Sequence, residues 1–310
     1  MGSLRDVFWT KQSAGESMSD RVAPGRAAPD VRFYLPAPLL RSLVTSYYVV
    51  DAPGPLADFT HPEWGNIRFL LVGDMRFGSP DGHDMTPPPA PAVIFGPTDR
   101  TRRFDSRGGL TIGIGLTPIG WLSLIGSDAS KAANAILPLG DELGTPGEAL
   151  RQTLAAAQDD AAMVAILDAL LMARRPEPSR YHDAVAKVQQ ALLDGKADQV
   201  AELAEAVEME QRTLHRVCRT VFGFSPVRLL RRQRFLRTLA KVRDALDQPL
   251  GQLIDSQYYD QAHFNRDFKA YMGMTPMTYF GTPREVMRRA AEQRNALLGA
   301  PVQGLHIPRK

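Results

Sequence analysis

In the last third of this 310-residue chain, a set of residues recurs at a constant offset of 50. Leu203 reappears as Leu253, Gln211 as Gln261, Leu214 as Phe264, Arg216 as Arg266, and Arg219 as Lys269. Gly223 reappears as Gly273, and Ser225-Pro226 as Thr275-Pro276. A shared register without slippage reads as one supersecondary unit used twice. Each copy has helix-turn-helix spacing, and a pair of such units suits two neighbouring stretches of DNA groove.

Local rules build the first copy. Val200, Leu203 and Ala204 give a short helix an apolar face, and Val207 and Met209 fill the turn. Leu214, Val217, Cys218 and Val221 then recur at spacings of three and four, the inward stripe of a second helix. Gly223 suits the left-handed residue that ends it, Ser225 can cap the next helix, and Pro226 fits its first position. The second copy repeats the plan with Leu253, Ile254, Phe264, Phe268, Tyr271, Gly273, Thr275 and Pro276.

The outward residues carry the chemistry. On the first helix they are Gln211, Arg212, His215, Arg216 and Arg219, and on the second Gln261, Ala262, His263, Asn265, Arg266 and Lys269. Arg can bond guanine with two hydrogen bonds, Gln and Asn can do so with adenine, and Ala can pack on a thymine methyl. The plain alternative is a solvated helix face. Charge distribution favours the DNA reading. Between Gln211 and Arg243 stand ten Arg or Lys and no Asp or Glu. From Lys196 to Ala290 the chain carries a net +5, against +3 for the whole sequence. Positive charge is thus concentrated where the repeat lies, as a phosphate-binding face requires. A basic amphipathic helix can also lie on a membrane, but Leu229, Leu236, Leu239, Val242 and Leu246 read as a core stripe of a helix linking the two units.

These residues resemble the AraC/XylS transcription regulators. The similar stretches are Leu203-Ala204-Glu205, Arg212 to Arg216, Gly223-Phe224-Ser225-Pro226, Tyr258 to Phe264, Arg266 to Lys269 and Gly273-Met274-Thr275-Pro276, within roughly residues 181 to 282. The resemblance implies an all-α domain of two helix-turn-helix units joined by a long helix. Its implied partners are promoter or operator DNA, and RNA polymerase if the protein is an activator. Three positions depart from the family. Glu208 and Gln257 stand where its turns usually have Gly, and Glu210 stands where Ser usually caps the first recognition helix. A non-Gly residue in a left-handed turn costs about 1 kcal/mol, and a lost cap about the same.

Upstream, strand signals dominate from Val31 to Leu116. Arg41 to Val50 is rich in β-branched and aromatic residues. Asn66 to Val72, Gly73-Asp74 and Met75 to Phe77 read as a hairpin. A proline-rich loop from Thr86 to Pro91 precedes strands at Ala92 to Phe95, Arg102 to Phe104 and Leu110 to Leu116. The expectation is a small antiparallel β-barrel or sandwich with flanking helices, hence an α+β chain. From Pro118 the pattern turns helical. Leu150 and Leu154 mark one helix, and Met163, Ile166, Leu167, Leu170 and Leu171 form a stripe on the next. The segment His61 to Phe69, with Gly96-Pro97-Thr98 and Leu116 to Gly120, resembles the cupin-like sensor half of the same family, which implies that these helices pair two protomers. The alternative is that the stripe packs against its own chain.

The expected organisation is an N-terminal arm over 1–30, a sensing and dimerisation domain over 31–175 (barrel 31–117, helices 118–173), a DNA-binding domain over 176–285 and a tail over 286–310. Arg174-Arg175-Pro176-Glu177-Pro178 reads as the linker. The longest apolar runs are too short to span a bilayer, the first 30 residues lack a signal-peptide apolar stretch, and the one cysteine fits a reducing cytoplasm. Cys218 sits on the apolar face of its helix, which favours packing over a redox role.

Trp64, Asn66, Arg68, Phe95, Arg100 and Arg102 combine aromatic walls with convergent polar groups, as around a small-molecule effector. They could equally be core aromatics and solvated arginines. His61, Glu63 and His83 can be drawn as metal ligands, but the cupin His-x-His pattern is missing. No phosphate loop, nucleophile elbow or HExxH motif appears, so no cofactor and no enzyme is implied. The leading reading is a ligand-responsive, cytoplasmic, homodimeric DNA-binding regulator. Two alternatives stand beside it: an N-terminal half that contacts a protein partner and senses no ligand, and a cupin-type metalloenzyme fused to a DNA-binding domain.

Overall fold

A computed structural model describes residues 28–174, 181–245 and 250–307. The N-terminal half carries strands β1 (Asp30–Tyr34), β2 (Val44–Ala52), β3 (Leu56–Phe59), β4 (Asn66–Gly73), β5 (Arg76–Gly78), β6 (Ala92–Phe95), β7 (Arg103–Ser106), β8 (Gly109–Leu116) and β9 (Ile136–Pro138). Six of them form one antiparallel sheet in the order β1-β2-β8-β4-β6-β9, and β3-β7-β5 form another. The ladders do not close on themselves, so the expected barrel is not confirmed. The expected hairpin at 66–77 is also absent, because β4 and β5 belong to different sheets. Gly73, at φ 88°, takes the chain out of the large sheet. A Cβ there would lie 2.0 Å from the Gly108 carbonyl oxygen, so the site admits only glycine.

Alternation along the strands gives the large sheet two apolar faces. Tyr47, Val49, Ile67, Phe69, Ile112 and Ile114 face one side. Helices α1 (Gly147–Ala155) and α2 (Asp160–Arg174) cover it with Leu150, Leu154, Met163, Leu167 and Leu171. Val31, Val93 and Phe95 face the other side, against Phe77 and Phe104 of the small sheet. Burying each of these large side chains stabilises the fold by roughly 1.5–3 kcal/mol.

The α2 stripe therefore packs largely within its own chain. Met163, Leu167 and Leu171 are buried there, and Ile166 and Leu170 are half-buried on the flank. Polar contacts fix the helix in place. Asp168 accepts from the Tyr47 hydroxyl at 2.8 Å and the Ala37 amide at 3.0 Å, and Asp160 accepts from Tyr34 at 2.6 Å.

The rest is helical: α3 (His182–Asp194), α4 (Val200–Ala206), α5 (Gln211–Phe222), α6 (Pro226–Asp244), α7 (Leu250–Leu253), α8 (Gln261–Met272), α9 (Pro276–Gly281) and α10 (Glu285–Leu298). Residues expected to be a tail thus form α10 and a 3-10 turn, Gln303–Leu305. Val286, Met287 and Ala290 of α10 join the apolar cluster between the sheets. Asp58 of β3 accepts from the Met287 amide at 2.9 Å and so caps α10 from a distant part of the sequence. The expected arm lies mostly outside the described residues, with β1 already starting at Asp30, and so does the linker beyond Arg174.

One apolar core runs from the large sheet through α1 to α3 and into α4, α5 and the start of α6. The second helix-turn-helix unit and the later part of α6 have a separate core, including Phe235, Phe264, Phe268 and Tyr279.

Candidate nucleic-acid interface

The two recognition helices, α5 and α8, are built alike. Leu214, Val217, Cys218, Val221 and Phe222 are buried on α5, and Phe264, Asp267, Phe268, Tyr271 and Met272 on α8, the same five positions 50 residues on. Gly223 (φ 83°) and Gly273 (φ 67°) end them, each donating its N–H to the carbonyl four residues back, Arg219 and Lys269. Pro226 and Pro276 follow in the first turns of α6 and α9. The Thr275 hydroxyl accepts from the Thr278 amide at 3.2 Å, whereas Ser225 makes no side-chain cap.

The turns differ as their residues dictate. Glu208 takes φ 55°, the left-handed conformation expected there, and its exposed carboxylate pairs with Lys187 at 2.6 Å. Glu210 precedes α5 without a side-chain cap. Gln257 does not adopt a positive φ. Asp255 shapes that turn instead, accepting from the Gln257 amide at 3.1 Å, while the Gln257 amide oxygen accepts from Arg237 at 3.0 Å. Asp260 caps α8 by accepting from the His263 amide at 2.6 Å. The second unit therefore has a better-formed helix start than the first.

On α5, Gln211, Arg212, His215, Arg216 and Arg219 are all exposed. On α8, Gln261, Ala262, Asn265, Arg266 and Lys269 are exposed, whereas His263 is half-buried. Its ring meets Tyr258 edge-on at 5.0 Å. The two outer faces thus repeat each other almost residue for residue.

Not all of the basic stretch faces outward. Arg232 is fully buried, and burial pulls its guanidinium down to about 9. It lies 3.7 Å over the Trp64 ring and donates to the Thr98 carbonyl at 3.0 Å. Asp267, also buried, pairs with Arg231 at 2.8 Å and Arg234 at 3.3 Å and accepts from Tyr258 at 3.2 Å. Arg237 pairs with Asp255 at 3.0 Å. These arginines bind the linking helix to its neighbours, a role a charge count cannot distinguish from phosphate contact. The single acid at 267, where the first unit has Val217, was the available signal. Cys218 is buried as its position implied, and desolvation pushes its thiol up to about 12.

The six residues expected around an effector do not converge on one pocket. Trp64 meets Phe222 edge-on at 5.6 Å, in the seam between the sheet and α5. Asn66 donates to Glu63, the Trp64 carbonyl and Gln303 at 3.1–3.2 Å. Arg68 lies 4.2 Å over Phe95 and donates to the Tyr48 hydroxyl at 2.8 Å. Arg102 is half-buried and donates to the Asn134 carbonyl. Arg100 is exposed, 3.6 Å from Asp99, in an outer cleft with Arg228 and Arg231. Of the six, Arg68 alone lines the cavity between the large sheet and α10, which measures about 60 Å³. That is far below the few hundred Å³ of an ordinary ligand site.

His61, Glu63 and His83 are likewise apart in role. His61 Nε2 lies 2.5 Å from the Tyr279 hydroxyl, and burial lowers the ring to about 3, so it is neutral at pH 7. Glu63 lies 3.6 Å from Arg294, and His83 is exposed. Among the described residues no three His, Cys, Asp or Glu side chains are grouped to hold a metal, and no helix is long and apolar enough to cross a membrane.

A repeated helix-turn-helix with two exposed, basic and amide-bearing faces defines a DNA-binding protein. Residues 203–282 match the family model described as a helix-turn-helix domain. A comparison with curated proteins finds no match. Among solved structures the chain is similar to ToxT from Vibrio cholerae, at 9% identity and a TM-score of 0.42, over 82% of this chain and 98% of that one. It is also similar to the unsaturated fatty acid bound form of ToxT, at 11% identity and a TM-score of 0.40, over 83% and 96%. The AraC-like transcriptional activator CuxR is similar at 14% identity and a TM-score of 0.30, over 73% and 89%. Likenesses this distant support no transfer of residues or ligands. The matched C-terminal segment is a helix-turn-helix domain of the AraC type.

Proposed function

We propose that this chain is a cytoplasmic regulator that binds a specific promoter or operator through α5 and α8 together, under the control of a small-molecule effector. The observation that carries the DNA assignment is the matching exposure of the two outer faces, Gln211 to Arg219 and Gln261 to Lys269. In this reading residues 176–285 are the DNA-reading part and 31–175 the controlling part, to which α10 adds a wall. The buried side of α6 supports effector control, because Arg232 and its neighbours tie the helix joining the two units to the sheet half. Pairing of two protomers would use the half-buried flank of α2, Ile166 and Leu170, since the rest of the stripe is core.

The test is selection of genomic DNA fragments by the full chain, followed by gel shift of the enriched site. Binding should weaken steeply between low and moderate salt as counterions are released. A folded chain that retains no fragment at low salt overturns the reading. Leu170→Glu, followed by sedimentation, decides the pairing: an unchanged dimer excludes this flank.

A further inference from the structure

The larger space in the molecule lies away from the sheet interior. A cleft of about 450 Å³ opens between the second half of α6, helix α9 and helix α10, with His61 among its lining residues. Its floor is apolar, formed by Leu239, Phe280, Met287 and Ala291. Three arginines line it as well, and they differ in their partners. Arg243 pairs with Asp244 and Arg288 with Glu292, two carboxylates that also line the cleft and neutralise these arginines. Arg284 has no carboxylate within ion-pair distance among the described residues. Its guanidinium lies 4.0 Å over Tyr279 and 5.2 Å over Phe280, and its Nε donates to the Thr282 carbonyl at 3.4 Å. Beyond these contacts and one with the Tyr279 hydroxyl, the guanidinium keeps N–H donors for a carboxylate.

His61 adds a second polar feature. Its Nε2 is engaged with the Tyr279 hydroxyl, and its Nδ1 is buried with no hydrogen-bond partner among the described residues. With the phenol as donor, Nδ1 carries the ring hydrogen and lacks an acceptor.

We infer that this cleft binds a small organic monoanion with an apolar body, its charged end on Arg284 and its body over Leu239, Phe280 and Met287. The size suits the class, since small-molecule sites occupy a few hundred Å³ and are mostly apolar with a few fixed polar groups. The walls give the site a consequence. Helix α6 joins the two DNA-reading units and α10 packs between the sheets, so an occupant braces one against the other. That effector role rests on the regulator reading; the binding itself does not.

The experiment uses the full chain and octanoate below its micellar range, with octan-1-ol as the uncharged comparison. Calorimetry and thermal melting should show one saturable octanoate site per chain, with octan-1-ol at least tenfold weaker. Arg284→Gln should weaken octanoate at least tenfold. Ala296→Phe, at an exposed position lining the cleft, should do the same by filling the mouth. Circular dichroism checks folding, and if Arg284→Gln is unfolded, Ala296→Phe and the alcohol comparison decide. Absence of saturable octanoate binding overturns the inference. So does binding that the folded variants leave unchanged, or equal affinity for the alcohol. A chain that binds octanoate as stated yet no DNA would refute the regulator reading and leave this site standing.

Discussion

The Arg232 guanidinium lies 3.7 Å over the ring of Trp64, and this pair joins the linking helix to the sheet. Trp64 also takes Phe222 edge-on, so one indole holds two elements of the DNA-binding part. Trp64→Ala should destabilise the fold by about 3–5 kcal/mol, the scale of a buried Trp truncation. Arg232→Met should cost less, about 1–3 kcal/mol, mainly by leaving the Thr98 carbonyl unpaired. Urea unfolding measures both, and a smaller loss for Trp64→Ala would show that the seam contributes little.

Glu208 holds a left-handed conformation that glycine adopts freely. Glu208→Gly should raise stability by about 1 kcal/mol. Loss of the exposed pair with Lys187 subtracts little from that. The substitution also removes a negative charge near α5, so DNA affinity should rise. A lower melting temperature for Glu208→Gly would refute the strain argument.

On the second unit, Asn265→Ala and Arg266→Ala should each cost roughly 1–3 kcal/mol on the selected DNA site. The loss on unrelated DNA should be smaller. Equal losses on both in gel-shift titrations would reassign the residue to phosphate contact. His263→Ala should change specificity less than either, because its ring is engaged with Tyr258.

Asp58 provides a pH signature. Burial raises its carboxyl to about 6 from an ordinary 3.8, against the opposing pull of the backbone N–H groups it accepts from. Between those values the folded chain holds a proton that the unfolded chain releases. Its contribution to stability is therefore greatest below about pH 4 and declines as pH rises to about 6, by up to about 3 kcal/mol. Asp58→Asn keeps an acceptor for the Met287 amide and should flatten this part of the profile. Parallel urea midpoints for the two proteins from pH 4 to 7 would exclude the assignment.

The helical half was legible because both of its signals are local. Spacing of apolar residues placed α5 and α8, and Gly223 and Gly273 marked their ends. What escaped depends on distant partners. Nothing local to Met75 or Phe77 says that β5 pairs with β7 rather than β4. The apolar spacing of Val286, Met287 and Ala290 is ordinary for a surface helix, and only the space between the two sheets makes it core. The same holds for the candidate sites. Outward positions on a helix follow from periodicity, so the exposed residues of α5 and α8 could be named, His263 apart. Trp64, Asn66 and Arg68 were expected around an effector, but the neighbours they pack against, Arg232, Gln303 and Tyr48, come from three different parts of the chain.

Gln303 donates to the Leu116 carbonyl at 3.0 Å and accepts from Asn66, so residues after the second recognition helix bind the ends of two central strands, β8 and β4. In topological terms the helix-turn-helix segment is an insertion: residues packed with the sheets precede and follow it in sequence. A module hung on one strand of chain can pivot freely, whereas one tethered at entry and exit has little independent rotation. Both helix-turn-helix units are then held in place by the same body of sheets, and the spacing between α5 and α8 becomes a property of the whole fold.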